Sequence, residues 1–238
     1  GVWLAFLGSI ILLGLLIGML AWPAGEESSK SPLLVYCAAG LKGPVAAIAK
    51  EYEKEYGVPI QLNLGGSQTL LAGLEINKRG DLYLPADDSY LVMAQKKDLI
   101  AEAIPLASMN VILAAKKGNP KGFKGLDDLM KEGVKLSQTN PDAAATGKLT
   151  REKMEKLGRW EELKKHTTVF KGTVNDVAAD LKIGSADAGF IWDALLLQYP
   201  ELENIPIPEL DGVSATMSVA VLKSSANATA ALRFARYL

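Results

Sequence analysis

One cysteine and one histidine are all that this chain of 238 residues has of the side chains most used as metal ligands and nucleophile partners. The lone Cys37 excludes an internal disulfide and a thiolate metal cluster. It lies in the apolar run Leu33 to Ala38, where a buried, inert thiol is expected. The lone His166 sits in LKKHTTVF, between a charged helix end and a strand. No Ser/His/Asp arrangement, no metal-ligand spacing and no P-loop Lys-Ser/Thr can be assembled, so the chain does not read as an enzyme and no cofactor is expected. The acidic pairs Asp87-Asp88 and Asp127-Asp128 stand at helix starts, where capping accounts for them. A surplus of one charge sign is lacking too. Lys and Arg number 26 against 27 Asp and Glu, interspersed along the chain, which implies neither a basic groove nor an acidic tail and no nucleic-acid partner.

One long hydrophobic run is present. Val2 to Ala21 carries no charge, and about 20 apolar residues suffice to cross a bilayer core as a helix. Residues 1–24 are therefore expected to be a signal peptide or an uncleaved membrane anchor. Residues 25–32, GEESSKSP, are small and polar and read as a linker to a folded domain. The remainder is expected to be exported or membrane-tethered.

After Pro32, strand and helix patterns alternate, which argues for an α/β fold whose sheets are mixed, mainly parallel and flanked by helices. Leu33 to Ala38 feeds a turn at Gly40 and a helix with Val45, Ile48, Ala49, Tyr52 and Tyr56 at helical spacing; Ile60 to Leu64 feeds Gly65-Gly66-Ser67 and a second helix. Leu82 to Leu84 reads as a third strand, with Asp87 or Asp88 capping the helix that follows, and Leu106 to Ala115 as a longer β run before a loop at 116–125. Beyond it, a helix is expected at Leu126 to Lys131, a strand at Val134 to Ser137 and a helix from about Lys148 to Leu157 with a Glu152–Lys156 pair. A strand follows at Thr167 to Phe170, then a helix at Val174 to Ile183 with Val174, Val177, Ala178 and Leu181 inward, then strands at Ala186 to Trp192 and Gly212 to Leu222. Four helix starts each follow a small-residue turn. Free backbone N–H groups at such starts, approached over glycine, suit an anion, and two that face one crevice would form a neutral cage. No Gly-x-Gly-x-x-Gly follows the first strand, which narrows away a dinucleotide site.

These residues resemble the periplasmic substrate-binding proteins of molybdate ABC transporters over about 200 residues, from Leu33 nearly to Leu238. The family's Ala-Ala-Ser-Leu turn is similar to Ala38-Ala39-Gly40-Leu41, and its Ser-Ser-Ser-Thr-Leu helix start to Gly66-Ser67-Gln68-Thr69-Leu70. Its Ala-Asp-Leu-Phe-Ile-Ser-Ala-Asp segment resembles 80–87, its Lys-Leu-Gly-x-Trp element resembles 156–160, and its Gly-Ile-Val-Tyr is matched by Gly189-Phe190-Ile191-Trp192. The resemblance implies a two-lobed fold with residues 33–107 and 214–238 in the first lobe, 108–213 in the second, and hinges near Leu106 to Ser108 and Gly212 to Ala215. The family's last segment would lie beyond Leu238.

By the same resemblance, an oxyanion is held through hydroxyls and backbone N–H groups without a compensating cation. The contacts carried over are Gly40 and Ser67 from the first lobe and Thr146, Val174 and Trp192 from the second, with no direct metal-ion ligand. Gly40 stands in place of a serine and Trp192 in place of a tyrosine, and the Thr146 hydroxyl is placed to restore the donor lost at Gly40. The implied function is capture of a tetrahedral oxyanion, molybdate or tungstate first, and delivery to an ABC permease by a monomeric binding protein. A membrane-tethered oxyanion sensor and a binder of sulfate or phosphate are the alternatives.

Overall fold

The computed structural model describes residues 31–238. The expected signal peptide or anchor at 1–24, and the linker but for its last two residues, lie outside the described residues. Among those described, no helix is long and apolar enough to cross a membrane.

The first half of the structure is built around β1 (Leu33–Ala38), which pairs in parallel with β2 (Ile60–Gly65) on one side and β3 (Leu82–Leu84) on the other. Its near-continuous apolar sequence, LLVYCA, is what a central parallel strand covered on both faces requires. Burial pushes the Cys37 thiol up to about 12, so it stays protonated and inert at neutral pH. A 3-10 turn at Ala39–Leu41 leads from β1 into α1 (Lys42–Tyr56), whose Val45, Ala49 and Tyr52 bury one stripe. Gly57, with φ of 62°, ends that helix in the left-handed conformation. The second helix, α2 (Ser67–Asn77), starts where Gly65-Gly66-Ser67 suggested, and α3 (Ser89–Lys96) follows β3. Asp88 occupies the position before α3, but it is Asp87 whose carboxylate accepts from the Ser89 N–H, at 2.6 Å.

Two long strands join the halves. β4 (Ile100–Lys116) pairs antiparallel with β9 (Ser214–Leu222) as far as Asn110, and from Val111 onward it pairs instead with β7 (Ala188–Trp192). β4 begins six residues before the β run expected from Leu106. Its first part is bulged between Ile100 and Glu102 and between Pro105 and Ala107, and it is largely exposed, so no clean alternation marks it. The second half continues from β7 to β5 (Leu136–Thr139) and β6 (Thr167–Lys171) in parallel, with β8 (Leu202–Ile205) also on β4. Parallel pairing thus holds at the two ends of the sheet, β2-β1-β3 and β7-β5-β6, and antiparallel pairing where β9 and β4 cross.

Several expected elements shift. The segment Leu126–Met130 is a 3-10 turn, too short to be an α-helix, and the strand expected from Val134 starts at Leu136. The helix expected from about Lys148 begins at Ala145, giving α4 (Ala145–Lys156), because Ala144 to Gly147 are small enough to pack its first turn against Thr139. Glu152 does not pair forward with Lys156; Lys148 reaches it at 3.6 Å from one turn before. α5 (Trp160–His166) carries the lone histidine at its end. α6 (Val174–Ile183) has the expected bounds and buries Val174, Val177, Ala178 and Leu181. The chain closes with α7 (Ala228–Tyr237), whose Phe234 packs edge-on against Tyr52 of α1.

Candidate functional site

The strands β1, β2, β5 and β6 each end at their carboxyl edge in a turn that opens a helical segment, and these four starts meet around one cavity. Gly40, Ser67, Thr146, Val174 and Trp192 all line it, together with alanines, glycines and Thr173. The cavity holds about 10 Å³, roughly what one water needs. No charged side chain is in its wall.

Ser67 is the first residue of α2 and is 1% exposed. Its Oγ accepts from the Ala86 N–H at 3.1 Å, and its own carbonyl accepts from the Tyr83 hydroxyl at 2.7 Å, so the end of β3 fixes its position. The Ser67 hydroxyl proton finds no acceptor among the described residues. The backbone N–H groups of Gln68 and Thr69 point to the Ala143 carbonyl, at 3.0 and 3.4 Å, which leaves the Ser67 N–H as the free one of that turn. Trp192 ends β7 opposite Val111, at the point where β4 changes partner. The Asp193 carboxylate accepts from the Asn110 N–H and side-chain amide and from the Ala194 N–H, pinning that corner. The Trp192 ring is buried, and its indole N–H donates to nothing among the described residues. Two side-chain donors without an acceptor among the described residues thus line one cavity.

The second half adds two more starts. At α4 no side chain caps the N-terminus, so the first-turn N–H groups, including that of Thr146, remain open. The Thr146 hydroxyl lies 3.0 Å from that of Thr139, so it is free to donate into the cavity only when Thr139 donates to it. At α6 the Thr173 hydroxyl accepts from the Asp176 N–H and donates to the Asp176 carboxylate, leaving the Val174 N–H uncapped.

Contacts across the cavity hold the two halves together. Gly66 admits the carbonyls of Ala143 and Gly172, which would lie 2.3 and 2.8 Å from a Cβ at that position. At the rim, the Lys148 ammonium of α4 donates to Ser89 Oγ at 2.6 Å, lies 3.4 Å from the Asp87 carboxylate and stands over the Tyr90 ring. Sequence reasoning missed Gly66, Thr173 and this Lys148 clasp. The Gly65-Gly66 pair was a signal for close approach, but what approaches it comes from 77 or more residues away.

A model of the family described as bacterial extracellular solute-binding protein matches residues 33–238. The chain belongs to that family. Among its relatives, the molybdate-binding protein ModA of Mycobacterium bovis is 26% identical over 216 residues, 89% of this chain and 80% of that protein. A binding protein of Haemophilus influenzae is 28% identical over 159 residues, 67% of this chain, and the chain spans only 65% of that protein's length. Among solved structures, the periplasmic molybdate-binding protein of Azotobacter vinelandii has a TM-score of 0.72 at 18% identity, covering 86% of this chain and 91% of its own. The sulfate-binding protein SubI of Mycobacterium tuberculosis has a TM-score of 0.71 at 20% identity, covering 87% and 81%. The fold is that of the periplasmic binding proteins, α/β throughout, and the family is one of binding proteins and not of enzymes.

Proposed function

We propose that this solute-binding protein captures a tetrahedral oxyanion, molybdate or tungstate first, and delivers it to an ABC importer in the membrane. The observation that carries the reading is the pair of side-chain donors in the cavity wall, Ser67 Oγ–H and Trp192 Nε1–H, with no acceptor of their own among the described residues, beside the open backbone N–H groups of Ser67, Thr146 and Val174 and with no acid in the wall. Such a site lacks only a group rich in acceptor oxygens. Helix N-termini and fixed dipoles supply the compensating charge in place of a cation. The ModA relatives support molybdate as that group. Gly40, Ser67, Thr146, Val174 and Trp192 would contact its oxygens, with no bond to the metal atom itself.

A tetrahedral oxyanion is larger than one water, so entry requires the two halves to part and close again as lobes. Rotation about β4 and β9, near Leu106 to Ser108 and Gly212 to Ala215, would serve, since these strands carry the chain between the halves. Sulfate is the second reading, supported by the compact cavity and by likeness to a sulfate-binding fold. A thermal-shift series on the full chain with molybdate, tungstate, sulfate, phosphate and chromate separates the two, because a ligand held only by the folded form raises the melting temperature. The largest shift is expected with molybdate or tungstate. A shift with sulfate alone would transfer the proposal to that anion, and no shift with any of the five would remove it.

A further inference from the structure

Gly40 is placed where the second half lands on the first. A Cβ built there would lie 3.0 Å from Trp192 Cδ1, 3.0 Å from Val174 Cγ1 and 3.4 Å from Trp192 Nε1. Its φ lies outside the left-handed region, so the backbone would accept any residue and what favours glycine is space, since a Cβ would push its neighbours back by a few tenths of an ångström. The backbone of Trp192 is held: it is paired in the sheet with Val111, and the Asp193 hydrogen bonds to Asn110 fix the corner behind it. Val174 is equally held, as the first residue of α6 with its side chain buried.

From this we infer that Gly40 and Trp192 act as one determinant of closure and of anion size: the indole, beside Val174, crowds the space that a side chain at position 40 would enter. The inference rests on the oxyanion reading of the cavity for its consequence, and on geometry alone for the coupling. While the indole is in place, the first half offers only backbone at position 40, and the hydroxyl absent there is exchanged for the indole N–H arriving from the other half. A larger group at position 40 holds the halves apart; a smaller ring at position 192 gives back the indole's share of that room, while Val174 Cγ1 keeps its own. The two positions are therefore expected to be non-additive, as neighbours in contact are.

The test is a double-mutant cycle on the full chain with Gly40→Ser, Trp192→Tyr and the pair, read by calorimetric titration with molybdate and with sulfate. Gly40→Ser is expected to weaken binding about tenfold or more beside tryptophan, the scale of an overpacked contact, and at least about threefold less beside tyrosine, where only the Val174 contact remains. Trp192→Tyr alone is expected to shift the preference between the two ions at least about threefold toward the larger one. Equal costs of Gly40→Ser in both backgrounds would overturn the coupling, and an unchanged preference would overturn the role in size. The melting temperature of the ligand-free chain gives the second reading. Gly40→Ser should lower it beside tryptophan and much less beside tyrosine, and equal lowering contradicts the inference even where no anion binds. Absence of anion binding by the unmutated chain, with the melting temperatures still coupled, would count against the oxyanion reading and not against this contact.

Discussion

The cavity wall holds no charged side chain, whereas the rim two residues along α4 carries Lys148, set between Asp87, Ser89 and Tyr90 of the other half. Inside, the polar side chains are hydroxyls and an indole N–H, beside the backbone of the helix starts. Outside, an ion pair with side chains 21% and 11% exposed spans the cleft. A dianion in a neutral cage meets fixed dipoles that need no reorganisation, and a cation in the wall would attract any anion and so discriminate less. Charge placed at the rim instead acts on the closed state without touching what is enclosed. Recognition and closure are thereby assigned to different chemistry.

The division is most severely tested at Gly66, which lines the cavity and is also a point where the two halves touch. Gly66→Ala would force the Ala143 and Gly172 carbonyls off the start of α2. These are backbone atoms with little room to move, so closure should cost about 3 kcal/mol, near the top of the overpacking range, and anion affinity should fall roughly a hundredfold in a titration. Ser67→Ala acts on the interior alone and should cost about 1.5–3 kcal/mol of anion affinity, the scale of a hydrogen bond to a charged group. It also removes the acceptor of the Ala86 N–H, so Ser67→Cys helps separate the two losses. Lys148→Met acts on the rim alone. Partial exposure limits the ion pair to about 1 kcal/mol, so the anion should dissociate about fivefold faster in a stopped-flow trace, and added salt should narrow the gap from the unmutated chain.

The smallest effect is expected away from the cleft. Burial raises the Asp180 carboxyl, but hydrogen bonds from Lys171, Ser137 and Ser185 outweigh it and hold the carboxyl below its usual range. A carboxylate depressed in the folded state adds stability above its unfolded pKa, about 3.9, and loses it as pH falls through the folded value. Asp180→Asn should therefore reduce stability at neutral pH and flatten its decline in acid, with anion affinity unchanged. A changed affinity would mean that Asp180, six residues along α6 from Val174, is coupled to the cavity it does not line.

The strand-glycine-helix units were legible because each rests on local chemistry: apolar runs bounded by small residues, and in α6 a stripe at Val174, Val177, Ala178 and Leu181 that fixes both the helix and its buried face. Family motifs then brought Gly40, Ser67, Thr146, Val174 and Trp192 to one cavity from five segments, which no local pattern could do. What escaped is what depends on the meeting of distant segments. The Thr146 hydroxyl was expected to stand free, and its neighbour Thr139, seven residues back on β5, shares it. Lys148 read as an ordinary helix residue, and its partners at Asp87 and Ser89 lie about 60 residues before it. Gly40 and Trp192 read in the sequence as two separate departures, and only the 3.0 Å between a Cβ built at position 40 and Trp192 Cδ1 joins the two.

Titration calorimetry of the full chain and its Ser67→Ala variant, side by side with molybdate, tests the neutral cage most directly. One anion per chain and a loss of about tenfold or more in the variant are the expected result. Equal affinity in the two proteins, or no heat with the unmutated chain, would contradict it.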